Sequence, residues 1–196
     1  MMLRNSLLMF TLSVVILVSC DKKSKYEQVV LEEKATGKIY DSLFFDFTFG
    51  QTKQQFFNQC WQLNNQQKVS QGPQNSFVQY ILPKSSKDSA TSSIVMLFYG
   101  IFDKDQIMTG MDFKFYHSGW SMWNKDLQAE KLLPQVRDSL LKWYPGNDFF
   151  EVKGKNSSET FLTKVDGNRR IVIEPLKDTK DIDVRIDDLR YEQKTK

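Results

Sequence analysis

The chain reads as an α+β protein: two helices packed on antiparallel β-sheet, in the order β-α-β-β-β-α-β-β-β-β. Three observations predict this class. Several short runs alternate apolar and polar residues with a period of two, most clearly Ile107, Thr109, Met111, Phe113 and Phe115 against Met108, Gly110, Asp112, Lys114 and Tyr116. Two other segments, after Thr52 and after Asn124, carry apolar stripes at helical spacing instead. The strand-like runs follow one another with few helices between them, which favours antiparallel pairing with helices laid on the sheet.

The elements follow in order. Leu43, Phe45, Phe47 and Phe49 alternate with Phe44, Asp46 and Thr48, predicting a first strand that ends at Gly50. Thr52 and Gln55 have the spacing of a capping box, with a hydroxyl at the cap and an amide three residues on. A helix follows with Phe56, Phe57, Cys60 and Leu63 on one stripe and Trp61 flanking it, fading through Asn64–Gln67 before Gly72-Pro73. Three strands come next: Phe77–Leu82, closed by Pro83; Ile94–Phe102, apolar on both faces and hence central; and Ile107–Tyr116. A Ser/Lys loop at Lys84–Ser93 separates the first two, and Asp103–Gln106 turns the chain between the others.

His117–Trp123 reads as an aromatic loop, and Asn124 as the cap of a second helix buried through Ala129, Leu132, Leu133, Val136, Leu140 and Trp143. Pro134 inside that stripe predicts a kink, or a short helix followed by a longer one starting near Pro134. Pro145-Gly146-Asn147 stops it, and four strands close the chain: Phe149–Lys153, Thr160–Val165, Arg169–Glu174 and Ile182–Asp187. Asp166-Gly167 marks a tight hairpin between two of them. Residues 39–196 thus form one α+β domain, in which 39–116 and 117–196 make a loose tandem repeat of helix then meander.

The N-terminus has another character. After Arg4 and Asn5, Leu7–Val18 is a nearly unbroken apolar run of about a dozen residues, short of the ~20 that span a bilayer as a helix. It fits the apolar core of a secretory signal. Leu17-Val18-Ser19-Cys20 resembles the lipobox of bacterial lipoproteins, with Leu three before the cysteine and a small residue just before it. That resemblance implies a signal peptide at 1–19, removed before Cys20, with lipid on the Cys20 sulfur. Two or three acyl chains, at ~0.8 kcal/mol per buried CH₂, hold a protein at a bilayer effectively for good. Asp21–Lys38 is charged and lacks an apolar period, so 20–38 reads as a tether reaching roughly 50–60 Å if stretched. The expected address is a bacterial cell envelope. Asp21 directly after the lipid cysteine resembles an inner-membrane retention signal of one bacterial group, and the outer membrane stays open beside it.

A second resemblance lies in Phe47-Thr48-Phe49-Gly50-Gln51-Thr52-Lys53, similar to the Phe-Gly-x-Thr start of the first helix in β-lactamase-inhibitor-like proteins and in small outer-membrane assembly lipoproteins. It implies helices on antiparallel sheet and a role in binding other proteins.

Composition narrows the function. Of 196 residues 40% are hydrophobic, with 15 Phe, 7 Tyr and 4 Trp, enough for a substantial core. The net charge is +3; removal of 1–19, with Arg4 and no acid, lowers it by one to +2, too balanced to indicate nucleic acid as a partner. With Cys20 assigned to lipid, Cys60 has no disulfide partner and reads as a small buried hydrophobe. The single histidine, His117, stands alone at a loop end without a nucleophile elbow around any serine. The ligands of a zinc site are missing, Asp103-Lys104-Asp105 lacks the glycine and glutamate of a calcium loop, and no nucleotide fingerprint occurs, so no metal, cofactor or catalytic residue is assigned. The acids and bases of 177–190 are interleaved, as on a solvated strand face.

One feature remains. Trp120, Met122 and Trp123, beside Tyr116 and His117, place large side chains in a glycine-containing loop, and aromatics so placed are enriched at binding hot spots. The expectation is a non-catalytic binding or scaffold module, attached to the membrane through Cys20 and touching an envelope protein or glycan. The alternative is an enzyme using two carboxylates on an envelope glycan.

Overall fold

The computed structural model describes residues 23–83, 92–154 and 158–192. Among them are three α-helices, α1 (Lys25–Ala35), α2 (Lys53–Asn65) and α3 (Ala129–Trp143). Eight strands join them: β1 (Ser70–Gln71), β2 (Val78–Ile81), β3 (Ile94–Phe102), β4 (Met108–His117), β5 (Phe150–Lys153), β6 (Thr160–Asp166), β7 (Arg169–Ile173) and β8 (Ile182–Asp188). They form one antiparallel sheet in the order β1-β2-β3-β4-β8-β7-β6-β5. Each half of the sheet is a meander, and the two meet through their last strands, from Phe115 opposite Ile182 to Gly110 opposite Asp187. The class is therefore α+β, with a third helix and with β4 and β8 at the seam.

One face of the sheet holds the core. Met96 and Phe98 of β3, Met111, Phe113 and Phe115 of β4, Ile182, Val184 and Ile186 of β8, and Ile171 and Ile173 of β7 are all buried there. The helices α2 and α3 cover them through Phe56 and Leu63, and through Leu132, Val136 and Leu140. The alternation that predicted β4 and β8 has this cause, since every second residue meets a helix. The capping box at Thr52 and Gln55 is present in both directions, Gln55 N to Thr52 Oγ1 at 3.2 Å and Thr52 N to Gln55 Oε1 at 2.7 Å.

Five local expectations are corrected. The predicted first strand, 43–49, is a tight loop. Phe45 and Asp46 take φ of 56° and 61°, forming a 3₁₀ turn at Phe44–Asp46, and Leu43 N closes on Phe47 O at 2.7 Å. Leu43, Phe47 and Phe49 still bury themselves, so the turn reproduces the apolar spacing of a strand without its backbone. Phe44 and Phe45 sit against Tyr80, with ring centroids at 5.5 and 5.0 Å.

The second correction concerns the predicted tether, which is helical from Lys25 to Ala35. Ser24 and Glu27 form a capping box, and the helix has no buried residue, which explains the missing apolar period. Polar contacts hold it instead. Glu33 accepts from Gly167 N at 2.8 Å and from Asn147 Nδ2 at 2.7 Å, Tyr26 meets Arg170, and Lys25 lies 5.2 Å from the Phe150 ring. Arg170 and Phe150 alternate with core-facing residues, so α1 lies on the opposite face of the sheet from α2 and α3.

Third, α3 runs unbroken past Pro134, and the break falls earlier. Asn124 caps a short 3₁₀ turn at Lys125–Leu127, while α3 starts after Gln128, with Ala129 N donating to Thr179 O at 2.8 Å. Fourth, His117 is the buried last residue of β4 and not a loop residue. The hairpin after β6 also turns one residue later than expected, at Gly167-Asn168. Gly167 has φ of 54°, and a Cβ there would strike the Lys38 carbonyl.

Candidate functional site: the aromatic loop and its surroundings

The loop after β4 begins where His117 ends the strand. Its base is tied to the sheet: Ser118 N donates to Ser93 O at 2.8 Å and Gly119 N to Ser92 Oγ at 2.7 Å. Trp120 folds inward, half-buried, and its indole Nε1 donates to Thr179 O at 3.0 Å. That carbonyl is the one that receives Ala129 N, so a single acceptor joins the loop, the start of α3 and the approach to β8. Ser121 Oγ accepts from Trp123 N at 3.2 Å, and Gln128 Nε2 reaches Met122 O at 3.4 Å.

The four predicted contact residues therefore separate. Trp120 is a structural anchor. Tyr116 is half-buried under Lys180, whose Nζ lies 4.7 Å from the ring centroid, and burial together with Asp181 raises its hydroxyl pKa. Met122 and Trp123 project into solvent, 62% and 87% exposed. A Trp side chain brings ~150–250 Å² of surface to any contact. Here that surface sits on a backbone fixed by hydrogen bonds, which lowers the ordering cost on binding. Cys20, the predicted lipid site, lies outside the described residues, as does most of the Ser/Lys loop.

A polar cluster that the sequence did not announce sits at the end of β6. Lys164 faces the core side, opposite Ile171, with no exposed surface. Its Nζ donates to Asp166 Oδ1 at 3.0 Å and to the Asn147 carbonyl. Arg169 reaches Asp166 at 3.4 Å and lies between the Tyr40 and Tyr144 rings, 4.9 and 4.7 Å from their centroids. Burial drives the Tyr144 hydroxyl well above its ordinary pKa; it stays neutral and accepts from Phe44 N at 3.0 Å. Asn168 adds Tyr40 N to its Oδ1 at 2.6 Å and Asp188 to its Nδ2 at 3.1 Å. The cluster fastens α1 and the 40–44 segment to the sheet. From sequence, the alternation around Lys164 gives no sign that this lysine points inward.

The opposite sheet face carries ion pairs in register: Arg185 with Asp112 at 2.8 Å, Lys114 with Asp183 at 2.6 Å, Arg170 with Asp187 at 3.0 Å. At its lower end is a cleft of about 590 Å³ lined by Asp103, Asp105, Asp187, Asp188, Glu192 and Arg170 among others. Burial raises the pKa of Asp187 against the opposing pull of Arg170. The Asp103 carboxylate is used locally, accepting from Asp105 N and Ile107 N at 2.9 Å each, as a hairpin tip does. Among the described residues, no three His, Cys, Asp or Glu side chains come together as metal ligands, and no helix is long and apolar enough to cross a membrane.

Fold and loop together describe an α+β protein of two helix-and-meander halves that carries an aromatic-tipped loop. The chain matches no family model, no curated protein and no solved structure.

Proposed function

We propose that this chain is a lipid-anchored binding module of a bacterial cell envelope, moored through Cys20, which contacts an envelope protein with Met122 and Trp123. The reading is carried by one observation: two adjacent large apolar side chains, 62% and 87% exposed, on a loop tied down by Trp120 and Ser92. Trp is over-represented among residues that dominate interface energy, and Met adapts to irregular apolar pockets. The lipobox-like Leu17–Cys20 supports the anchor. Crosslinking in intact envelopes tests the contact. Trp123→Ala is expected to reduce capture of the partner with an unchanged Tm, and capture unaffected by that change would reject this surface. Mass spectrometry showing a bare Cys20 thiol, in protein released to the medium, would reject the anchor.

A second reading has its own observation, the cleft at Asp187 with a carboxyl pushed above its usual range. A raised carboxyl pKa is what a general acid in glycoside hydrolysis needs. Release of reducing ends from an envelope glycan, abolished in Asp187→Asn, would install this reading; full retention in that variant would remove it.

A further inference from the structure

On the first half of the molecule α2 and the β1–β2 edge enclose a groove of about 230 Å³. It is smaller than the ~300–1,000 Å³ of sites for drug-sized ligands, and suits a single ring. Phe57 and Trp61, one helical turn apart on α2, form one wall, and they are 43% and 68% exposed. Phe77 and Tyr99 supply further aromatic lining. Gln71 and Asn75 stand at the rim, where Gln71 Nε2 donates to Asn75 Oδ1 at 2.8 Å. That bond orients both amides and leaves one carbonyl oxygen and one NH₂ group for an outside partner.

The rim is also held in an uncommon backbone shape. Gln74 and Asn75, neither of them glycine, both take φ of 57°. Such left-handed non-glycine residues cost energy and cluster at binding sites. Gly72 lets this turn close, because a Cβ there would come within 2.8 Å of the Phe77 carbonyl oxygen.

We infer that this groove binds one pyranose unit of a neutral glycan. In a chain with 26% charged residues, none of the twelve described residues lining the groove is charged. An anionic polymer or lipid headgroup would find no cation in it, and a basic peptide no carboxylate. An added peptide strand is also disfavoured, since the edge strand β1 is two residues long and runs into Pro73. A neutral sugar matches what is present. The C–H face of its ring stacks on Trp61 or Phe57, and its hydroxyls, each donor and acceptor, pair with Gln71 and Asn75. Cys60 at the back of the groove is no competing nucleophile, because burial raises its thiol pKa to about 12. The inference stands apart from the loop at Trp123 and from the anchor.

The test uses the full chain in detergent, titrated calorimetrically with maltohexaose, cellohexaose and chitohexaose, with a hyaluronan hexasaccharide as the anionic control. At least one neutral hexasaccharide is expected to bind saturably, and the anionic one about tenfold more weakly or not at all. Trp61→Ala should cut the affinity about tenfold or more, as loss of a hot-spot aromatic does, while Trp123→Ala leaves it unchanged. Should Trp61→Ala lower Tm, Gln71→Ala reads the same site from an exposed rim residue and should still weaken binding several-fold. Absence of saturable binding by all three neutral sugars overturns the inference, as does binding insensitive to both variants. Capture of an apolar strand-forming peptide at Trp61 without any sugar binding would assign the groove to a protein partner instead.

Discussion

The two halves of this molecule share an architecture and differ in how they fill it. In the first, α2 meets the sheet and the 43–49 loop through aromatic rings: Phe56 lies 5.6 Å from Phe102 and 4.8 Å from Phe47, and Phe98 packs against Phe47 and Phe113. In the second, α3 brings Leu132, Val136 and Leu140 into the same core as Ile171, Ile173 and Ile182, its Trp143 stacks on Phe115 of β4 at 6.4 Å, and a buried ionic cluster around Lys164 closes the end. Rings are large and rigid, and an aromatic wall leaves gaps and exposed faces such as Phe57 and Trp61. Aliphatic side chains adapt and fill the space, so the second half has its distinctive chemistry inside, where Asp166 holds Lys164. The two halves thus differ most in their interiors, rings in the first and a buried ionic cluster in the second, while each exposes a tryptophan, Trp61 and Trp123.

The contrast can be broken where it is strongest. Asp166→Ala leaves Lys164 buried without its carboxylate, and unfolding in urea should show a loss of ~3–5 kcal/mol. A loss below ~1 kcal/mol would mean that the cluster is not what secures the second half. Replacing Lys164 and Asp166 together by Met and Leu should cost less than Asp166→Ala alone, because no lysine is then left buried without its carboxylate, although Arg169 still loses its Asp166 partner.

Cys60 sharpens the other half. With its pKa raised from 9.0 to about 12, the thiolate fraction at pH 8 falls ~1,000-fold relative to an ordinary thiol. Alkylation of the native protein, followed by peptide mass, should therefore be slower than in urea by about that factor. The native rate should climb roughly tenfold per pH unit up to about pH 12 while the fold persists. Equal rates native and unfolded at pH 8 would contradict the burial of this thiol.

Smaller effects distinguish the helices. Thr52→Ala removes a real cap from α2 and should cost ~1 kcal/mol. Gln128→Ala at the start of α3 should cost almost nothing, because Thr179 O already takes the first N–H there. Smallest of all is Trp123→Ala, expected within ~0.5 kcal/mol of the parent by chemical denaturation, since 87% of that residue already faces solvent.

Much of the fold was legible because alternation and burial coincide. In β4, β7 and β8 each second side chain enters the core, so the period of two is written in residues such as Met111, Phe113 and Phe115. The 43–49 segment misled for the same reason. Leu43, Phe47 and Phe49 bury from a left-handed turn at Phe45-Asp46, and spacing alone does not report φ. The helix α1 left no apolar stripe, and its one signal was the Ser24–Glu27 capping spacing inside a charged run.

The candidate site was half legible. Aromatics in a glycine loop pointed to Trp120, Met122 and Trp123, but the inward turn of Trp120 depends on the Thr179 carbonyl, 59 residues along the chain. Phe57 read as part of a core stripe beside Phe56, with Trp61 flanking it. Which side of α2 meets the sheet is a tertiary fact, and it left them outside.

The docking of α1 changes what kind of attachment a lipid at Cys20 would provide. Since Ser24 already caps a helix fastened to the sheet by Glu33 and Tyr26, only a few links of chain would separate an acylated Cys20 from the rigid body. At full stretch that is ~14 Å, less than half the thickness of the hydrocarbon slab itself. A particle held so closely does not sweep a wide volume in search of distant targets. If Cys20 carries lipid, the protein would meet what drifts past in the headgroup layer, and a ligand would have to come to the membrane surface to be caught.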